Sequence, residues 1–336
     1  MKQLIIIINI LLFNVLIAQK NTIIYPPQLD SLLYYENIIK NGLNDFEKLQ
    51  SNEYFNRLMI EILSYPDAYK FNFDTIKLLS VLKGEDFLLI TWGVPLNNGK
   101  TIPYGLTLKK LPRNNNYKVL ELKNVKDSLQ DPEQAILKNG DWYGAIYYQI
   151  IPIEVNDIKY YTLLGWDGEN GLYQSKVIDI LGFSYNGQTI FGKRMFKNIP
   201  DKKNPTRLIF RYSTDAVMSL RYDRQSYEVN TTKTKQKNKP KNSKNYSKAQ
   251  KADKKIVKTK RYFDEMIIYN SISPLNKFVV GQYQFYYPNA EDLVGLQLID
   301  NKWVYRPNID ARNAPDAQDN YDPTKKKTTN KVPQYH

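Results

Sequence analysis

The sequence predicts an α+β protein: a short N-terminal helical segment packed on a mainly antiparallel β-sheet or sandwich body. Three observations carry this. Apolar residues between positions 28 and 63 recur at helical spacing. From Phe87 onward the chain turns to short aromatic and β-branched runs bounded by Gly, Pro and Asn. Those runs follow one another as hairpins with no long helix between them, which is antiparallel order.

The chain opens MKQLIIIINILLFNVLIAQK. Lys2 supplies a positive start, Leu4 to Ile17 is apolar apart from Asn9 and Asn14, and Ala18 is small. This pattern predicts a secretory signal peptide over residues 1–18, cut after Ala18. Its apolar run of about 14 residues is shorter than the ~20 a spanning helix needs. The expectation is therefore an exported chain without a transmembrane segment after cleavage, periplasmic rather than extracellular. The chain has no cysteine, which removes lipid attachment, disulfides and zinc–thiolate sites together.

Residues 19–83 read as a helical lead. Pro26-Pro27 ends an extended entry, and a helix is predicted over 28–41 from Leu29, Leu32, Leu33, Glu36 and Ile39, with Gly42 as its C-cap. A second helix is predicted from Ser51-Asn52-Glu53. Its apolar face is Phe55, Leu58, Met59, Ile62 and Leu63, and Pro66 stops it. Asp74 is placed to cap a third, short helix through Leu82. So few helical residues cannot bury enough surface to stand alone, so they must lie on the rest of the protein or on a partner.

Residues 84–312 read as an antiparallel β body. FLLITWGV, PYGLTLKKL and YKVLELKNV are strand-like, and three hairpins follow. They turn at Asn156-Asp157, near Ser213 to Asp215, and at Asp300-Asn301. Residues 313–336 are rich in Pro, Asp, Asn, Thr and Lys and are expected to be disordered.

Within the body, residues 231–261 form a lysine-rich insertion: Lys233, Lys235, Lys237, Lys239, Lys241, Lys244, Lys248, Lys251, Lys254, Lys255, Lys258, Lys260 and Arg261, against one acid, Asp253. This segment supplies +12 of the formal +14; Lys2 and the tail supply the rest, and the body is neutral. Ile256 and Val257 are almost its only apolar residues, so disorder is predicted. Two readings follow. The run is a solvated loop, or it contacts a polyanion of the cell envelope through charge density alone. One arginine and one central tyrosine, Tyr246, are too few for base readout, so no specific nucleic acid is expected.

The series DWYGAIYYQI, YYTLLGWDGENG, FGKRMF, IFRYSTDAVMSLRYD, GQYQFYYP and NKWVYRPNIDARN resembles an uncharacterised exported protein family of Bacteroidetes-type bacteria. The resemblance spans roughly Leu29 to Asn313. It implies a signal peptide, a helical lead and a β-rich body, with the lysine insertion as a departure, and it implies no catalytic or binding residue.

Chemistry is tightly bounded. The one histidine is His336, the last residue, so histidine-based triads and metal sites are unavailable. No phosphate or dinucleotide glycine motif occurs, and no cofactor is expected. Carboxylate chemistry on glycans needs only Asp and Glu, with Asp141, Asp167, Glu169 and Asp179 as candidates. Against it, acids near turns and strand ends commonly serve local hydrogen bonds. Asp167, Glu169 and Asn170, spaced by glycines, are calcium-ligand candidates; the plainer reading is a loop needing glycine conformations. Tyr147-Tyr148, Tyr160-Tyr161 and Tyr286-Tyr287 are adjacent pairs, with Tyr283 and Phe285 nearby. Neighbours on a strand face opposite sides, so one ring of each pair belongs to the core and the other lies outside or under a second layer. An exposed ring can stack on a sugar or peptide, but packing in the core and on the sheet face is the commoner role. The function expected is a non-catalytic binding or structural role at the envelope, with a carboxylate enzyme on glycans as the rival.

Overall fold

The computed structural model describes residues 23–234, 255–307 and 309. The signal-peptide positions, residues 235–254 of the lysine run and the tail from 313 lie outside the described residues. The chain divides into two compact units, where the sequence reading has one β body. The first is residues 1–193 with 207–209; the second is residues 194–206 with 210–336.

The first unit begins with helices α1 (Leu29–Asn41) and α2 (Asp45–Leu63). Leu32, Glu36 and Ile39 form the buried face of α1. Gly42 ends it as expected, but its φ of −56° is not left-handed. Glycine is required there because a Cβ would stand 2.7 Å from the Ile38 carbonyl oxygen. Helix α2 starts six residues before the predicted Ser51. Asn44 caps it by accepting from the Glu47 N–H at 2.9 Å, and the Glu47 carboxylate accepts from the Leu43 N–H at 3.0 Å. This reciprocal cap is a variant of the capping box.

The third helix does not form. Asp74 lies in a turn, its N–H donating to Asn72 Oδ1 at 2.8 Å. The Leu78 N–H donates to the buried Glu36 carboxylate at 2.8 Å, and the chain then enters strand β1 (Ser80–Lys83). A tertiary acceptor thus overrides local propensity.

Two sheets follow. The first has order β1-β2-β3-β4-β6, with β2 Phe87–Pro95, β3 Thr101–Lys110, β4 Tyr117–Asn124 and β6 Asp141–Trp142. The second has order β5-β10-β9-β8-β7, with β5 Leu137–Lys138, β7 Ile146–Val155, β8 Ile158–Asp167, β9 Tyr173–Phe183 and β10 Thr189–Phe191. Among the pairings of β1 to β10 only the short β4–β6 one is parallel. Strand β2 is buried along nearly its whole length because it is packed on both faces. Leu88, Ile90, Trp92 and Val94 join the helix cluster of Phe55, Leu58, Met59, Ile62 and Leu63. Phe87 and Leu89 join the opposite cluster with Trp142, Tyr147, Leu163 and Leu181. This period-2 split makes three layers: helices, sheet, sheet. The Trp92 indole N–H is satisfied by buried Asn52 Oδ1 at 2.7 Å.

Two of the three predicted hairpins form. Asn156 and Asp157 have φ of 51° and 62° between Val155 and Ile158, which pair directly. Asp300 and Asn301 have φ of 48° and 59° between paired Ile299 and Lys302. Positive φ at both central residues is what a two-residue type I′ turn needs. The hairpin near Ser213 does not form. Strand β12 (Leu208–Ser213) pairs with β9, and the chain makes a turn before continuing to β13 (Leu220–Thr234).

The second unit is a five-stranded sheet, β11-β16-β15-β14-β13, with β11 Phe196–Lys197, β14 Lys255–Pro274, β15 Tyr286–Ile299 and β16 Lys302–Arg306. Met266, Ile268 and Ile309 form its core cluster. Strands β13 and β14 run well past the sheet. From Arg224↔Glu265 to Thr234↔Lys255 they form a two-stranded ladder, whereas β15 is in register with β14 only from Met266 onward. The expected disordered insertion is therefore entered from both sides by strand: residues 231–234 pair with 255–258, and 259–261 are also in the ladder. Thr, Val and Ile favour strand there, a signal that lysine density obscures.

Among the described residues no helix is long and apolar enough to cross a membrane, which says nothing of strands.

Candidate functional site

Two buried polar clusters in the first unit collect three of the four candidate acids. The first forms where β8 leaves its sheet at Asp167. Residues i and i+2 of an extended chain share a side, so Asp167 and Glu169 turn toward the same neighbour across Gly168. A Cβ on Gly168 would stand 2.7 Å from the Trp166 ring and 2.8 Å from Thr101 Oγ1. Gly171, at φ +49°, closes the loop against the Asn98 carbonyl oxygen, which a Cβ would meet at 2.4 Å. Gly171 has the positive φ of the plainer reading, whereas Gly168 is set by close packing against two side chains.

The neighbour is Lys126, in a short 3-10 turn after β4 (Lys126–Ser128). Its Nζ lies 2.6 Å from Asp167 Oδ2 and 3.6 Å from Glu169 Oε2. The side chains are 8%, 0% and 9% exposed respectively, so this is an interior ion cluster. Glu169 Oε1 accepts from the Tyr143 hydroxyl and from Ser175 Oγ, each at 3.1 Å. Asn170 Oδ1 accepts from the backbone N–H groups of Leu172 and Tyr173 at 3.1 and 3.2 Å. The place that the calcium reading reserves for a metal is occupied by the Lys126 ammonium. Among the described residues no three His, Cys, Asp or Glu side chains are grouped to hold a metal ion.

The second cluster is centred on Asp179 in β9. Arg207 Nε donates to Asp179 Oδ2 at 2.9 Å, and both side chains are fully buried. The Tyr147 hydroxyl donates to the same oxygen at 3.2 Å, and the Ile180 N–H donates to Asp179 Oδ1 at 2.8 Å. Arg207 Nη1 donates to the carbonyls of Pro132 and Ala135. Burial, reinforced by the Asp179 charge, pushes the Tyr147 hydroxyl well above its ordinary pKa, so it stays a neutral donor.

Asp141 is half-buried on β6, where it stands opposite Lys123 of β4. A depression of about 140 Å³ lies at the α1–α2 turn, lined by Asn37, Ile38, Asn41 and Glu47 among others, and includes none of the four acids. It is well below the ~300 Å³ at which small-molecule pockets begin. Lys126, Arg207 and Tyr143, absent from the sequence candidates, complete the two clusters together with Tyr147, which the sequence singles out only as one ring of a strand pair. Cations are read as exposed by default, and only the isolation of Arg207 beside Leu208 and Ile209 hints otherwise.

The tyrosine pairs divide as expected on β7: Tyr147 is buried and Tyr148 is 38% exposed. Tyr161 is buried and Tyr160 half-buried. The two outward rings are already faced by cations, Lys176 at 4.7 Å from Tyr148 and Lys193 at 4.1 Å from Tyr160. In the second unit Tyr286 is half-buried and Tyr287 is exposed. Tyr283 and Phe285 are half-buried too, and Arg211 lies 5.2 Å from the Tyr283 ring.

The chain matches no family model, no curated protein and no solved structure.

Proposed function

We propose that this chain is an exported, periplasmic protein with a non-catalytic binding or structural role at the cell envelope. One observation supports this over glycan hydrolysis. Asp167, Glu169 and Asp179 are spent on Lys126 and Arg207 inside the first unit. A glycosidase needs two carboxyls flanking a substrate cleft, one to protonate the leaving group and one to attack or activate water. Incubation with envelope glycans is expected to release no reducing ends; release that disappears in Glu169→Gln would overturn the reading. Export rests on the residue 1–18 pattern and on the family resemblance. N-terminal sequencing of the protein from the producing cell is expected to begin at Gln19. A chain retaining Leu4–Ile17 would refute export by signal cleavage.

The ladder of the second unit favours polyanion contact as an added role. Lys260, Lys258 and Lys233 stand at the rungs Val229↔Lys260, Thr231↔Lys258 and Lys233↔Ile256, which are alternate rungs. Alternate rungs are spaced by roughly 7 Å, a pitch suited to a linear chain of anions. Thr234 and Lys255 pair directly, so residues 235–254 are replaceable by Asn-Gly, a type I′ turn. That variant is expected to keep its circular dichroism and melting temperature. It keeps Lys233, Lys258 and Lys260, so it is expected to keep part of its heparin affinity, and adding Lys233→Gln, Lys258→Gln and Lys260→Gln is expected to remove the remainder. In the full chain, affinity is expected to fall on the order of tenfold or more between about 50 and 200 mM salt. Undiminished affinity in the variant would move the contact away from residues 235–254.

A further inference from the structure

We propose that Lys126 and Asp167 condense into an intramolecular isopeptide bond, with Glu169 relaying the protons. The reactants are already in contact: Lys126 Nζ is 2.6 Å from Asp167 Oδ2, and Glu169 Oε2 is 3.6 Å from the same nitrogen. An amine this close to a carboxyl oxygen needs only a small shift to stand over the carboxyl carbon, which is the near-attack arrangement. The second oxygen of Glu169 is held by Tyr143 and Ser175, which fixes the first toward the lysine.

The step balances without a co-reactant. A proton passes from Nζ to Glu169, and the neutral amine attacks Asp167 Cγ, forming the N–C bond. The tetrahedral centre then breaks one C–O bond. Protons from the former ammonium, relayed by Glu169, complete the departing oxygen as water. Nothing is oxidised or reduced, and Glu169 ends in the form in which it began.

In water an ammonium and a carboxylate remain ionised and apart. Here both are buried, and each carries a desolvation penalty as an ion. Condensation removes the two charges together and leaves a neutral amide, while the fold supplies the proximity. The link would join points 41 residues apart, tying the turn after β4 to the end of β8. In a chain without cysteine this is a covalent staple independent of redox conditions.

Peptide mapping of the full, denatured chain tests it. Trypsin does not cut after an acylated lysine, so the expected product is residues 124–138 joined to residues 160–176, lighter than their sum by one water. Recovery of linear 124–126 and unmodified 160–176 in full yield would overturn the proposal. Glu169→Gln is expected to fold, as judged by circular dichroism, and to remain unlinked. A Glu169→Gln chain that links as completely as the parent would remove Glu169 from the mechanism. The parent's peptide map decides the bond itself even where a variant fails to fold.

Discussion

Arg207→Met is expected to destabilise the first unit by about 3–5 kcal/mol, because removing one member of a buried pair strands the other. At the size of this unit that is a fall of roughly 6–20 °C in melting temperature. The stranded group is Asp179, fully buried, whose remaining hydrogen bonds from Tyr147 and the Ile180 N–H are not a countercharge. The carbonyls of Pro132 and Ala135 lose their donor as well, at about 1–3 kcal/mol for each left unsatisfied. Arg207→Met combined with Asp179→Leu separates these contributions. Replacing both members of a buried pair by apolar groups is often neutral, so the double variant is expected to recover part of the loss. The loss of the Arg207 donor to the carbonyls of Pro132 and Ala135, and of the acceptor for the Tyr147 hydroxyl, holds it below the parent. Thermal melts by circular dichroism read both. A single variant that melts with the parent would mean that the arginine contributes no net stability.

That cluster also marks the limit of sequence reading. Helix α2 was legible because its face repeats at 3.6 residues, and the type I′ hairpins because Asn and Asp accept positive φ. These are local signals. The burial of Arg207 and Lys126 is not local: each is placed by partners far along the chain, Asp179 at 28 residues and Asp167 at 41. Asp167, Glu169 and Asp179 were visible as candidates, but their counterions were not, so catalytic and structural roles could not be told apart before the fold was known. The absent helix after Asp74 has the same cause. A carboxylate from α1, Glu36, takes the Leu78 N–H that a helix would have used. The lysine run misleads differently. Composition argues against order, yet its ends carry Thr, Val and Ile in register with one another, and pairing follows register rather than charge.

Leu58→Asp with Ile62→Asp is expected to abolish cooperative folding of the first unit. Ile62 is fully buried and Leu58 is 8% exposed, in the cluster that joins α2 to Ile90, Trp92 and Leu108. Two carboxylates there lose the burial of two aliphatic side chains, about 1.5–3 kcal/mol each. They also add a desolvation cost of several kcal/mol per ion unless they protonate. The sum exceeds the roughly 5–15 kcal/mol by which domains are usually stable, or consumes most of it. Helix propensity cannot account for such a loss, since Asp costs under about 0.7 kcal/mol per position relative to alanine. Phe46→Asp supplies the control: Phe46 lies in the first turn of the same helix and is 75% exposed. An acid there is also favoured by the helix dipole, so this variant is expected to melt within a degree or two of the parent. If the double variant instead retains the parent's melting curve, the α2 face is not what holds the helices to the sheet. The contacts of Glu36 with the Leu78 N–H and of Asn52 with Trp92 would then have to carry that role.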